Sequence, residues 1–178
     1  MIKARMMVFL VGVMLAGLGH ALDRNDIENW VQTIQEIEQW VQDNNITNAD
    51  MIDDENPYDL EGSMAGAADR HEAIQDIILG YGFSSSDDWA NTGARIIDAF
   101  GAVLLEESED QSYDDIRREL DAQLAMLEQD SALDVEQQVM IRDQIESIQA
   151  VMARMMSSSE ADRDSVRSNR DLLAPVFQ

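Results

Sequence analysis

Apolar residues recur along this chain at three- and four-residue steps and hardly ever at alternating positions, so helices and not strands are predicted throughout. The first helix is predicted to start at Asn25, with Glu28 three residues on at capping-box spacing. It places Ile27, Trp30, Val31, Ile34, Ile37 and Val41 on one stripe, with Trp40 at its edge. Tryptophans at such spacing fill cores far more often than they line aromatic binding sites, and both are assigned to the core. Residues 43–61 interrupt the pattern. Asp43, Asp50, Asp53, Asp54, Glu55, Asp59 and Glu61 fall there without a basic residue, and Asn56-Pro57 is a turn signal. A second helix, opening near Ser63 or Asp69, carries Ile74, Ile77, Ile78 and Tyr81 on one face and closes at Gly80 and Gly82.

The stretch from Gly80 to Leu105 is predicted to organise the fold. Gly82 is placed to take a left-handed position past the last helical turn, with Phe83 folding back on Ile78. A phosphate-binding reading of Gly80-x-Gly82 fails, because a helix precedes it where a nucleotide fold needs a strand. Ser85 with Asp88 then starts a helix whose Trp89, Ile96, Ile97, Phe100, Val103 and Leu104 span an arc of roughly 120°. Ala90, Gly93, Ala94 and Gly101 lie within or beside that arc, where a neighbour can approach closely, and Asn91, Arg95 and Asp98 leave only a narrow polar strip. A helix so distributed touches more than one neighbour.

A second acidic break, from Glu106 to Asp115, leads into a helix capped by Ser112 with Asp115 and carrying Ile116, Leu120, Leu124 and Leu127. After Gln129-Asp130-Ser131 the longest helix sets out Val135, Val139, Ile141, Ile145, Ile148, Val151, Met152 and Met155. Two long helices on so short a link predict an antiparallel hairpin of near-coiled-coil character. Ser157 to Ser159 interrupt, Ser159 can cap, and a weakly amphipathic segment with Val166, Leu172 and Leu173 runs to Pro175. The expected fold is therefore all-α, an irregular bundle of five or six helices with a long C-terminal antiparallel hairpin. It forms a single domain over residues 22–178, with 157–178 expected as a loosely held tail.

The first 21 residues stand apart from that domain. Lys3 and Arg5 open the chain, MMVFLVGVMLAGLG follows as an uncharged apolar run, and Gly19 and Ala21 put small residues at the −3 and −1 positions of a cut after Ala21. The run is shorter than the ~20 residues a helix needs to cross a bilayer. This is the pattern of a cleaved secretory signal peptide, and it predicts a bacterial periplasmic or secreted protein without stable membrane association. The chain has no cysteine, which rules out a lipid-attachment thiol, disulfides and thiolate chemistry.

Charge narrows the partners. Twelve basic and 36 acidic residues give a net charge of −24, and losing Lys3 and Arg5 takes the processed chain to −26. Such a field repels nucleic acid and anionic membranes, so neither is expected as a partner. Lys3 is the only lysine, leaving arginine as the sole basic residue type of the processed chain. The acidity fits a host living in high salt or, alternatively, a cation-binding surface.

Candidate chemistry is sparse. His71 is the only histidine outside the signal segment, and without cysteine it cannot build the usual zinc site. Gly62-Ser63-Met64-Ala65-Gly66 has its serine one place off a nucleophile elbow. Carboxylates are too abundant for a glycosidase-type pair to stand out. The expectation is no enzymatic activity and no cofactor other than calcium. The calcium candidate is Asp43 to Asp54: Asp43, Asn45, Thr47 and Asp54 fall on positions 1, 3, 5 and 12 of a helix-loop-helix calcium loop, and Asn48 stands where glycine is usual. An acidic surface loop explains the same residues. Finally, Leu133-Asp134-Val135-Glu136-Gln137 resembles the Leu-Thr-x-x-Gln motif of small periplasmic stress chaperones of the Spy and CpxP type, which are helical hairpin proteins. Asp replaces Thr, the second copy that family carries is absent, and Asp134 with Gln137 is equally a helix-capping pair. The expected function is a non-enzymatic, exported helical protein that works by contact with an unidentified protein partner. The alternatives are a periplasmic chaperone or stress sensor and a calcium-responsive binding module.

Overall fold

Eight α-helices and no strand make up the regular structure of a computed structural model that describes residues 20–46, 59–108, 112–127 and 133–177. The expected signal segment lies outside the described residues up to residue 19.

Helix α1, Arg24–Asp43, starts one capping pair earlier than its sequence pattern predicts. The Asp23 carboxylate accepts the N–H groups of Asn25 and Asp26 at 2.7 and 2.9 Å, and Asp26 accepts the N–H of Asp23 at 2.9 Å. That register sets Leu22 and Ile27 at the two positions of a hydrophobic staple, and both are buried in the core. A cap at Asn25 would leave Leu22 outside that arrangement.

The single helix expected before Gly80 is two: α2, Leu60–Asp69, and α3, Glu72–Gly80. Asp59 starts α2 by accepting the N–H of Gly62 at 2.9 Å. His71 breaks the pair apart with an extended backbone at φ −132° and ψ 111°. The split lets α2, with Ala65 and Ala68 buried, pack along the next long helix, where Met64 lies over Gly93. Gly82 ends the turn in the left-handed region at φ 91°, and its N–H donates to the carbonyl of Leu79 at 3.1 Å. Phe83 then packs back against the core.

Helix α4, Ser86–Glu107, is the central element. Ser85 Oγ accepts the N–H of Asp88 at 3.1 Å, while the Asp88 carboxylate holds the N–H and hydroxyl of Ser84, both at 2.9 Å. Trp89, Ala90, Ile96, Ala99, Ala102 and Val103 are buried on it, and it touches α1, α2 and α3 as well as helices that follow it. Leu104 is half exposed, one step round the helix from the buried seam.

Helices α5, Tyr113–Leu127, and α6, Val135–Met156, follow, and then α7, Glu160–Ser168, and α8, Arg170–Phe177. The C-terminal half of α6 seats on α4, with Met155 lying over Gly101. The segment expected as a loose tail contributes Val166 and Leu173, both fully buried. Phe177 stacks on Phe100 with centroids 4.5 Å apart and on Trp30 at 6.4 Å, closing the end of the chain over α1 and α4.

Candidate functional site

The polar strip on α4 is a row of ties to its neighbours. Arg95 pairs with Asp162 of α7 at 2.8 Å, Asp98 with Arg154 of α6 at 2.9 Å, and Asn91 donates to Glu61 of α2 at 3.3 Å. At the end of α4, Glu106 and Glu107 stand where the helix dipole disfavours negative charge. Arg163 and Arg167 of α7 pair with Glu106, and Arg170 of α8 with Glu107, supplying from outside the positive charge that the α4 terminus lacks. Arginines on α7 and α8 are thereby drawn into holding the fold together.

Helices α5 and α6 contrast with this packed part. Gln149 Nε2 donates to Asp121 Oδ1 at 2.8 Å, and the two helices line a shared groove of about 420 Å³ that includes Tyr113, Leu120 and Met152. Only Leu127 is buried on α5 and only Ile145 on α6. Of the seven large hydrophobic side chains exposed among the described residues, five lie here: Met126, Val135, Val139, Met140 and Ile148. Exposed large apolar groups are thus concentrated on this pair of helices instead of being scattered singly over the described surface. Val135 is 77% exposed although the sequence pattern places it on the buried stripe. Val135 and Val139 share one side of α6, and Met140, one residue on, is turned about 100° away. Two helices alone cannot cover so wide an apolar arc. The period of the sequence locates apolar residues on α6 without showing how few of them find a partner.

Each end of this element is capped through local polar contacts. Asp134 accepts the N–H of Gln137 at 2.9 Å, and Gln137 Oε1 accepts the N–H of Asp134 at 3.3 Å, so the fragment that resembles the chaperone motif acts as a capping box. At the start of α5 the Ser112 hydroxyl donates to Asp115 at 2.7 Å, and the Ser112 N–H does so at 3.3 Å. These two bonds, with the neighbouring charge of Arg118, hold the Asp115 carboxyl below the usual aspartate range. A depressed carboxylate contributes stability above its ordinary value and loses it as pH falls through its folded value. Ser112→Ala removes the hydroxyl, the first of these causes, and is expected to move Asp115 part of the way back toward the ordinary aspartate range, so weakening that acid-side dependence. An NMR titration of the Asp115 carboxyl carbon checks it, and an unchanged titration in the variant would refute Ser112 as the cause.

The remaining candidates are placed as follows. His71 lies against Trp40, with ring centroids 5.2 Å apart, and its Nε2 is buried without a hydrogen-bond partner among the described residues. It makes no side-chain capping bond at the start of α3. Asp43 ends α1 and accepts from Gln39 Nε2 at 2.9 Å, and Asn45 turns the chain at φ 53°. Thr47, Asn48 and Asp54, the rest of the calcium candidate, lie outside the described residues. Among the described residues no cluster of three or more acids or histidines is arranged to hold a metal ion, and no helix is long and apolar enough to cross a membrane.

Fold and surface together define an all-helical protein with a packed body and a two-helix element rich in exposed apolar side chains. Compared with known proteins, the chain matches no family model, no curated protein and no solved structure.

Proposed function

We propose that this is an exported, non-enzymatic helical protein that acts by contact with another protein through α5 and α6, paired as an antiparallel hairpin of an irregular bundle. The observation that carries the proposal is the concentration of Met126, Val135, Val139, Met140 and Ile148 on that pair, exposed beside a body whose other apolar faces are largely covered. The Asp121–Gln149 bond and the shared groove support the hairpin pairing. The net charge of −24 argues for a protein partner over nucleic acid or an anionic membrane. A second reading, a periplasmic chaperone or stress sensor, is favoured by the two exposed methionines, whose flexible thioethers suit surfaces that accept varied partners.

One experiment separates the two. A photo-crosslinking residue is placed at Val139, at Met140 and, as a control, at exposed Glu72 of the exported protein. Contact with a dedicated partner gives one discrete adduct from Val139 and Met140 and none from Glu72. A chaperone gives a broad ladder from the same sites and suppresses aggregation of a reduced test protein at near-stoichiometric amounts. Adducts from none of the sites, or equally from all three, would sink both readings.

A further inference from the structure

Leu22 is buried ahead of α1, and its main-chain nitrogen donates at 2.8 Å to Oδ1 of Asp162, a residue 140 positions later in the chain. Asp162 is itself only 6% exposed. It sits in the first turn of α7, where the helix N-terminus favours a negative charge and where Ser159 Oγ accepts its N–H at 3.0 Å. Arg95 reaches the same carboxylate from α4, through Nη2 to Oδ1 at 2.8 Å and Nε to Oδ2 at 3.3 Å, and its Nη2 also donates to the carbonyl of His20 at 2.7 Å. One buried carboxylate thus gathers the segment just ahead of α1, the central helix and the start of α7. The nitrogen it grips belongs to the residue that follows the expected processing point.

We propose that Asp162 is the receptor for the α-ammonium group of Leu22 created when the signal segment is removed. The inference rests on the export reading above. A signal peptidase hydrolyses the Ala21–Leu22 peptide bond: water supplies the hydroxyl to the Ala21 carbonyl carbon, and the Leu22 nitrogen leaves as an amine, which is protonated near neutral pH. Cleavage therefore turns the neutral amide donor to the Asp162 carboxylate into a charged ammonium donor and adds a direct charge–charge attraction to the hydrogen bond. The Leu22 side chain, held in the core at its staple position, aims the new terminus at the carboxylate. Processing also frees Arg95 Nη2 from the His20 carbonyl, and Asp162 is left between two cations at a helix N-terminus. The processed chain closes α1 onto α7 with an ion pair that the unprocessed chain does not have, so the fold tightens only after export.

The sequence provides a direct readout. Lys3 is the only lysine, so the Leu22 α-amine is the sole primary amine of the processed chain. Intact mass of the exported protein comes first, and a start at Leu22 is expected; any other start overturns the cleavage point and this inference with it. Acetylation by an N-hydroxysuccinimide ester is then followed by mass in native buffer and in denaturant. Capture predicts native labelling slower by about tenfold or more, because the amine reacts only when the terminus opens. Equal rates on a Leu22 start overturn the capture while leaving the export reading intact. Asp162→Asn is expected to abolish the protection with helicity retained, and persistent protection in that folded variant overturns the role of Asp162. Should that variant not fold, a chain beginning at Ala21 decides: its amine lies one residue outside the bond and should label at the denatured rate, whereas protection there would show burial without capture.

Discussion

Trp30→Ala is expected to remove about 3–5 kcal/mol of stability, the range for deleting a buried tryptophan. For a domain of this size that is a large share of a total of roughly 5–15 kcal/mol. Trp30, 2% exposed, heads the fully buried side chains of the described core. Its indole lies over Gly93 of α4 and under Phe177 of α8, so three helices lean on one ring. A methyl group on Gly93 would fall 2.8 Å from Trp30 Cε2 and 2.6 Å from Met64 Cε. Met64 can swing away, but the indole is held from the far side. Gly93→Ala is therefore expected to cost about 1–3 kcal/mol by overpacking in the native background. In a Trp30→Ala background the same change should cost almost nothing, since the colliding ring is gone. Urea melts of the two single variants and the double variant measure this coupling directly. Additive costs would show that Gly93 is needed for something other than room for Trp30. The Trp30 Nε1–H has no hydrogen-bond partner among the described residues, so Trp30→Phe, which keeps a ring and discards the donor, should cost much less than Trp30→Ala.

Trp30 also marks how far the sequence carries. Its place on a stripe with Ile27, Val31 and Ile34 follows from the helical period, and the small residues of α4 follow from the arc that they interrupt. That the two meet at Gly93 is a tertiary fact that no period encodes. The caps are legible for the same local reason: Ser85 with Asp88, Ser112 with Asp115 and Asp134 with Gln137 act over three residues. Where two caps compete, locality fails. The spacing of Asn25 and Glu28 points to a start at Asn25, and the observed cap at Asp23 goes with burial of Leu22, an interaction with distant parts of the chain. The break at His71 is hidden because Ala67, Ala68 and the isoleucines after it continue a helical pattern straight through it. On the candidate surface the error runs the other way. Val135 and Val139 keep the apolar period of α6, yet period alone cannot report that no third helix among the described residues arrives to cover them. Asp162 is illegible for a further reason: among 36 acidic residues, one that is buried looks like any other until its partners are known.

Asp162→Ala is expected to cost about 2–4 kcal/mol, the largest effect of any single acidic residue among those described. The ranking follows from what each carboxylate leaves behind. Removing Asp162 strands the buried nitrogen of Leu22 and takes both hydrogen bonds to that carboxylate from Arg95, whose side chain is 33% exposed and can recover part of its hydration. That partial rehydration places the cost below the full penalty for orphaning a sealed charge. Asp98, paired with Arg154, is less deeply buried, with 14% of its side chain exposed against 8% for Asp162, and orphans no backbone group in the pair described, so Asp98→Ala should cost about 1 kcal/mol. Glu107 pairs with Arg170 where both side chains are more than 40% exposed, and Glu107→Ala should fall within about 0.5 kcal/mol of zero. Salt sharpens the contrast, because screening weakens exposed pairs far more than buried ones. Melts of the three variants at low and molar sodium chloride should leave the Asp162 deficit nearly constant while the Glu107 effect vanishes. A deficit for Asp162→Ala that disappears in salt as the Glu107 effect does would mean the carboxylate is solvated and holds neither Leu22 nor Arg95 in the way the fold implies. If the deficit survives, the strongest electrostatic joint among the described residues lies where the start of α1 meets the start of α7, and not in the acids that crowd the surface.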